Sequence, residues 1–384
     1  MTTPHAVSVL HFVVPAGWDD QHRPSGGNIY DQELAAELEQ LAWGVRIQPV
    51  TGSWPRPTTD AVHALSTTLA ALPDGEKVLL DGLVACAVPQ VLEAHHQRLG
   101  LSVLVHLPLA AETGLDPDTA RALDQAEREA LGYARMAIAT SRWTGEQLTD
   151  RHGMDDHRVH IAAPGVRLAP VGLGSQPWGN RHLLCAASLT PRKGHETLVR
   201  ALAAVPRDLP WQLRIAGAAP DPAYREQLLA LIAELGLGER ISLLGPLDRA
   251  AMQDAYAWAD LLVLASEQEA YGMCVTEALA RGIPVYASAT GGIGEALGFA
   301  TFLESTSPER PGRLLPVGDV TAWTEALLEW MVRLPLRDRL RTLAEERQRT
   351  LPTWRAAALD VGAAVRGYHS RAWRTREPVA MHHR

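Results

Sequence analysis

Short apolar runs alternate with amphipathic stretches along most of the chain. Val7–Val14 reads as a strand, and the loop Pro15–Gly27 follows it. A helix is then predicted over Asn28–Trp43, where Leu34, Leu38 and Leu41 fall at i, i+4 and i+7 on one stripe. Val45–Val50, Lys77–Leu80, Leu101–Val105, Met136–Ala139 and Val159–Ala162 read as further strands, with helical segments between most of them. A weakly patterned stretch, Pro164–Gly179, interrupts the alternation and reads as a linker. The pattern restarts with strands at His182–Ala187, Gln212–Ala216, Ile241–Leu244, Asp260–Leu264 and Ile283–Ala287. A last helix is predicted over Trp354–Trp373, and the tail after Arg374 reads as frayed. Near-continuous apolar strands alternating with helices imply parallel sheets covered on both faces. The expectation is an α/β protein with two Rossmann-like domains, residues 1–165 and 180–353, joined through 164–179.

Composition sharpens this picture in three places. A chain of 384 residues is long enough for two separate cores. No apolar run is long enough to cross a bilayer, and the N-terminus lacks a charged-then-apolar leader pattern. Three widely spaced cysteines, Cys86, Cys185 and Cys274, point to a reducing, cytoplasmic setting. The charge is uneven. Residues 1–165 hold 11 Lys+Arg against 21 Asp+Glu, a balance of −10, which leaves +2 for the remainder of a chain whose net charge is −8. An acidic first half repels nucleic acid and anionic lipid, which disfavours both as partners.

Candidate chemistry concentrates in Ser266–Gly282, SEQEAYGMCVTEALARG. The run Leu261-Leu262-Val263-Leu264 before it reads as a buried strand, and Gly282 with Pro284 just beyond reads as a helix stop. A short helix is predicted from about Gly272 to Arg281. Glu269 then stands at its mouth and Glu277 about a turn inside, with the amides of Gly272, Met273 and Cys274 between them. Free amides at a helix start attract anions. Carboxylates on either side suit a ligand with phosphates in the middle and hydroxyls at both ends, as in a nucleotide sugar.

Lys193 stands out for a different reason. Lys77 and Lys193 are the two lysines of a chain with 36 Lys+Arg, so 34 of its basic residues are arginine. Pro191-Arg-Lys-Gly194 falls between a strand and a helix, where an ammonium or the neighbouring Arg192 can neutralise a diphosphate and stabilise it as a leaving group. The glycines of Ser25-Gly-Gly-Asn28 follow the first strand, and a backbone without side chains approaches a phosphate closely. His106 ends its strand, and ligands of open α/β sheets bind at the carboxyl ends of strands. Glu112 lies a few residues further on and is a candidate for the same pocket. Asp116-Pro-Asp118 has the spacing of a metal-binding pair, yet it also fits an N-cap, a first-turn proline and a dipole-favoured acid. The helical reading is preferred. The 15 histidines have no zinc-ligand spacing, and no metal is expected.

Taken in order, Pro24–Asn28, Leu184–Leu198 and Ser266–Gly292 resemble the glycine loop, phosphate clamp and E-x7-E segments of the family-four retaining glycosyltransferases. The resemblance spans roughly the whole chain. It implies a GT-B fold, in which two Rossmann-like domains with parallel sheets face a central cleft and the C-terminal helix, here 354–373, crosses back to the N-terminal domain. By that resemblance residues 1–165 form the acceptor domain and 180–353 the donor domain. Glu269 resembles the glutamate beside the donor sugar, Glu277 the one that grips the ribose hydroxyls, and His106 a pocket histidine near the sugar. Ser188 departs from the pattern, since many relatives carry arginine there, and Arg192 is a candidate to supply the missing charge.

The resulting expectation is a metal-independent, retaining glycosyltransferase without a resident cofactor, using a nucleotide-sugar donor (UDP- or GDP-linked) and a soluble, hydroxyl-bearing acceptor. His106, Arg192, Lys193 and Glu269 are the candidate catalytic groups. Gly27, Gly272, Met273, Cys274 and Glu277 join Arg192, Lys193 and Glu269 at the donor, and Gly26, Asn28 and Glu112 are assigned to the acceptor. The alternatives are an epimerase or phosphorylase of the same fold, and a non-catalytic nucleotide-sugar binder.

Overall fold

The computed structural model describes residues 8–20, 25–112, 114–172, 174–175, 181–300 and 308–367. Two compact units result, one formed by residues 1–19, 27–165 and 354–384, the other by 20–26 and 166–353. Each is a Rossmann-like layer of helices around a six-stranded, wholly parallel sheet.

In the first unit the strands are β1 (Ser8–Pro15), β2 (Trp43–Val50), β3 (Lys77–Asp81), β4 (Gly100–Val105), β5 (Met136–Ala139) and β6 (Val159–Ile161). Their order across the sheet is β2-β1-β3-β4-β5-β6. The helices are α1 (Gly26–Gln40), α2 (Thr59–Ala70), α3 (Gly82–Ala85), α4 (Pro89–His95), α5 (Pro117–Tyr133) and α6 (Arg142–Glu146). Successive strand residues point to opposite faces. Here both faces are covered: Val78, Leu79 and Leu80 are all fully buried, as are Val103, Leu104, Ala137 and Ile138.

The second unit contains β7 (Arg181–Ala186), β8 (Trp211–Ala216), β9 (Ile241–Gly245), β10 (Leu261–Leu264), β11 (Val285–Ser288) and β12 (Gly312–Leu315), in the order β12-β11-β10-β7-β8-β9. Its helices are α7 (His195–Ala203), α8 (Pro222–Glu234), α9 (Arg249–Trp258), α10 (Met273–Leu279), α11 (Ile293–Leu297), α12 (Val320–Val332) and α13 (Leu334–Gln348). The closing helix, Trp354–Val365, belongs to the first unit. There Trp354 stands edge-on to Tyr30, with ring centroids 5.3 Å apart.

Strand order locates the crevices. In such sheets ligands bind outside the carboxyl ends of strands where the order reverses. The reversal lies between β1 and β3 in the first unit and between β7 and β10 in the second.

Several boundaries differ from the sequence reading. The first helix ends at Gln40, not Trp43. Ala42 takes a left-handed turn at φ 62°, and Trp43 then opens β2, buried against the closing helix where Gly362 leaves room for its indole. Strand β12 was not read, because Gly-Arg-Leu-Leu has too few apolar positions to reveal a pattern. The closing helix stops at Val365; residues 368–384, including the predicted frayed tail, lie outside the described residues, as does Pro24. The stretch read as a linker is laid on the second unit. Gly172 N donates to Arg281 O at 2.9 Å, and Ser175 N to Asp260 Oδ1 at 2.6 Å. Asp116 is the N-cap of α5, accepting from the amides of Asp118 and Thr119 and from the Thr119 hydroxyl at 2.6 Å.

The largest fully buried side chain of the second unit is Trp323 on α12, which packs against α7 behind the Lys193 turn. Trp323→Ala is expected to destabilise this unit by about 3–5 kcal/mol, the usual range for emptying a large aromatic site. Denaturant unfolding followed by fluorescence checks it; an unchanged midpoint would mean the site collapses without loss.

Candidate functional site

In the second unit the strand-order reversal brings two loops together. After β7 the chain passes Ser188 and makes a single 3-10 turn, Pro191–Lys193, before α7. Gly194 joins the two at φ 63°, and a Cβ there would lie 2.0 Å from the carbonyl oxygen of Ala265, so that only glycine lets this turn rest on the end of β10. Glu267 N donates to Arg192 O at 2.8 Å, locking the two loops edge to edge.

Glu269 is the centre of this arrangement. It is 7% exposed, and its Oε1 accepts from the Lys193 ammonium and, at 2.9 Å, from the Ser266 hydroxyl. Arg192 Nη1 lies 3.9 Å from Oε2 and donates to Gln268 O at 2.9 Å. Burial works against a charged carboxylate here, but Lys193 and then Arg192 outweigh it and hold Glu269 below the usual carboxylate range. The result is a cluster of two cations and one anion at the carboxyl end of the sheet. Gly291 completes it at φ 52°: a Cβ there would fall 1.7 Å from the Glu269 carbonyl oxygen, which accepts instead from Gly292 N at 3.1 Å.

Beyond Gly272, at φ 90°, Met273 and Cys274 form the first turn of α10. Burial, then Glu269, push the Cys274 thiol well above its ordinary value, so it is a packing group with no thiolate character. Glu277 is half-buried on the same helix and accepts from the Tyr256 hydroxyl at 2.6 Å. The guanidinium of Arg281 covers the Tyr256 ring at 4.5 Å and donates to the Glu277 carbonyl. Glu277 is thereby fixed in a partner set of its own.

In the first unit the reversal gathers a second group. Gly26 and Gly27 open α1, and Asn28 follows on the same turn. A Cβ on Gly27 would stand 3.2 Å from the His106 ring, so the glycine admits the imidazole against the helix. His106 lies just past β4, where Thr140 Oγ1 holds its carbonyl at 3.1 Å. Its Nε2 is 2.9 Å from Asp31 Oδ1, and Tyr30 stands edge-on at 5.2 Å between centroids. Asp81, the last residue of β3, accepts from Leu83 N at 2.7 Å and joins them. Donor atoms of Asp31, Asp81 and His106 all lie within 4.8 Å of one another, the one grouping among the described residues with the geometry to hold a metal ion. Glu112 follows the short turn Leu109–Ala111.

Sequence reading named Lys193, Arg192 and Glu269 and did not foresee that they pair. It named His106 but missed Asp31, Asp81, Ser266 and Tyr256. Two of these carried a signal. Asp31 lies four residues after Gly27 and so on the same helix face. Asp81 closes an apolar strand, the same position that drew attention to His106.

Comparison with known proteins agrees with this geometry. Residues 176–347 match the family model of Glycosyl transferases group 1, so the second unit carries a domain of that family. D-inositol 3-phosphate glycosyltransferase of Mycolicibacterium smegmatis is 28% identical over 260 residues, covering 65% of this chain and 56% of its own. The enzyme of that name from Mycobacterium sp. strain KMS is 32% identical over 226 residues, covering 54% and 47%. The chain thus spans about half the length of these relatives. Among solved structures, sucrose-phosphate synthase from Thermosynechococcus elongatus superposes with a TM-score of 0.75 at 22% identity, over 94% of this chain and 98% of that one. Anabaena HepE in complex with UDP-glucose gives 0.72 at 16% identity, over 93% and 99%. These structures share the fold, the two Rossmann-like domains of GT-B glycosyltransferases.

Gly291→Ala is expected to destabilise the second unit well beyond the ~1–2 kcal/mol of a left-handed alanine, because its methyl group displaces the Glu269 backbone. Gly318→Ala, with φ 71° and open space around the Cβ, bears the backbone strain alone. Equal unfolding midpoints for the two variants would refute the role of Gly291.

Proposed function

We propose that the protein is a retaining glycosyltransferase that moves a sugar from a nucleotide diphosphate to a hydroxyl group of a soluble acceptor. The observation that carries this reading is the pairing of Lys193 and Arg192 with Glu269, at a strand-order reversal inside the region matching the group 1 family. Fixed cations there favour a departing diphosphate, which gains negative charge as the glycosidic bond breaks. Glu269 holds the two cations in register and faces the sugar; Glu277 takes the ribose hydroxyls; the Gly272–Cys274 turn meets the phosphates. A UDP-linked donor is favoured by the fold shared with the UDP-glucose complex of HepE. Retention of configuration rests on the likeness of residues 266–282 to the family-four pattern, and front-face attack, with the leaving phosphate taking the acceptor proton, needs no enzymic nucleophile.

The acceptor reading places Gly26, Asn28, His106 and Glu112 around a hydroxyl-bearing small molecule. The matched relatives are named for D-inositol 3-phosphate, a molecule of that class. The balance of −10 over residues 1–165 disfavours a lipid-embedded anion instead.

Lys193→Ala is expected to lower kcat/KM by roughly 10²–10³, with a fall in kcat as well as a rise in KM, as for loss of one preorganised charge-stabilising donor. Lys193→Arg recovers part of it, since a planar fork differs in reach from a point charge. Lys77→Ala, at the opposite end of β3 from Asp81, should be nearly silent. Equal small effects at Lys193 and Lys77 would end the phosphate assignment.

Turnover is expected to survive exhaustive EDTA treatment, because the two cations supply the charge that a metal ion supplies elsewhere. Loss restored by Mg²⁺ or Mn²⁺ would contradict this and direct attention to Asp31, Asp81 and His106. Asp116 is engaged as a helix cap and is not a ligand candidate.

A further inference from the structure

Two carboxylates and an imidazole meet in the interior of the first unit, and their charges must cancel there. Asp31 is fully buried, Asp81 is 4% exposed, and the His106 side chain is 21% exposed. Asp31 Oδ1 takes the His106 Nε2 proton at 2.9 Å. Asp31 Oδ2 is buried without a hydrogen-bond partner, and Asp81 is the neighbouring group close enough to give it one. Asp81 in turn has one oxygen committed to Leu83 N. A single distribution of protons satisfies the set: two on the imidazole, none on Asp31, one on Asp81. The cluster is then neutral, every buried oxygen has a partner, and both ring nitrogens of His106 are donors.

We propose that Asp31 is a positioning residue that holds His106 as an imidazolium, with Asp81 carrying the balancing proton, so that Nδ1–H is presented as a donor to a substrate oxygen. The glycosyl-transfer reading enters only in the identity of that oxygen, a hydroxyl or phosphate oxygen of sugar chemistry. Gly27 and Tyr30 hold the ring plane, which makes α1 the wall that sets both the position and the charge of the histidine. The surrounding titratable groups act in the same direction. Burial disfavours the His106 cation, but Asp31 outweighs it, with Asp81 adding to the effect. Burial and then Asp31 push Asp81 up to about 7. The other titratable groups near the cluster are Tyr30, which faces Asp31 and, from the closing helix, Asp360, and Cys86, which faces Glu127 and Asp81; burial first of all keeps both protonated.

The test is an imidazole titration by NMR on the full chain without substrate, with the His106 signals assigned through His106→Gln. In the wild type His106 is expected to remain cationic through neutral pH. Because Asp31 raises its midpoint, Asp31→Asn removes the anion and should move that midpoint down by about 1–3 pH units. Asp81→Asn, whose amide can donate to Asp31 Oδ2 in place of the acid, should leave it near the wild-type value. In turnover, the alkaline limb of kcat/KM should move to lower pH in Asp31→Asn. A neutral wild-type His106 at pH 7 overturns the proposal even if the variant does not fold. An identical midpoint in wild type and Asp31→Asn overturns it too, as does stoichiometric uptake of Zn²⁺ or Mn²⁺ that Asp31→Asn abolishes. Absence of turnover with every nucleotide sugar, beside a titration that follows expectation, would defeat the transferase reading and leave the proton arrangement standing.

Discussion

Glu269 keeps its charge in a buried position only because Lys193 and Arg192 lie against it, and the second unit is arranged to make that possible. The carboxylate sits at the end of β10 and the cations at the end of β7, neighbours solely through the reversal of strand order. Three glycines, at 194, 272 and 291, hold left-handed backbones around it. Two of them touch the carbonyl oxygens of Ala265 and Glu269 so closely that no side chain fits. Removing one member of such a pair leaves an uncompensated buried charge, which costs far more than the pair itself contributes. The geometry is therefore a demand made on the loops by the charges, and the glycines are how the chain meets it.

The α/β alternation and most strands were legible because a doubly covered parallel strand must be apolar on both faces, as in Leu261–Leu264 and Lys77–Leu80. Periodicity failed where packing, not pattern, sets the limit. Trp43 looks like the last residue of a helix, yet a turn at Ala42 hands it to a strand, where the closing helix covers it. Four-residue β12 is recruited by β11 and has no pattern to read.

The candidate site was legible residue by residue but not as a set. Lys193 and Glu269 are 76 positions apart, and His106 and Asp31 are 75 apart. Nothing local in either segment announces its partner. What sequence does carry is position relative to the elements: each of these groups lies at the carboxyl end of a strand or on the first turns of the helix that follows. Asp81 satisfied that rule and was passed over only because an acid after a strand is an ordinary turn former.

The two units answer one problem, a buried carboxylate at a sheet end, with different chemistry. In the second, the compensating groups are an ammonium and a guanidinium, whose charge is constant across the range in which the protein would work. Such a set suits a task in which negative charge always develops on the ligand, as on a departing diphosphate. In the first, the compensating group is an imidazole, and a second acid nearby is raised to about 7. That set changes its proton content near neutrality, which suits a ligand bound through exchangeable hydroxyl groups. If both sites serve one reaction, pH sensitivity should reside in the first unit and the salt-like, pH-independent stabilisation in the second, and the pH dependence of turnover then reports on the histidine cluster while the depth of catalysis reports on Lys193.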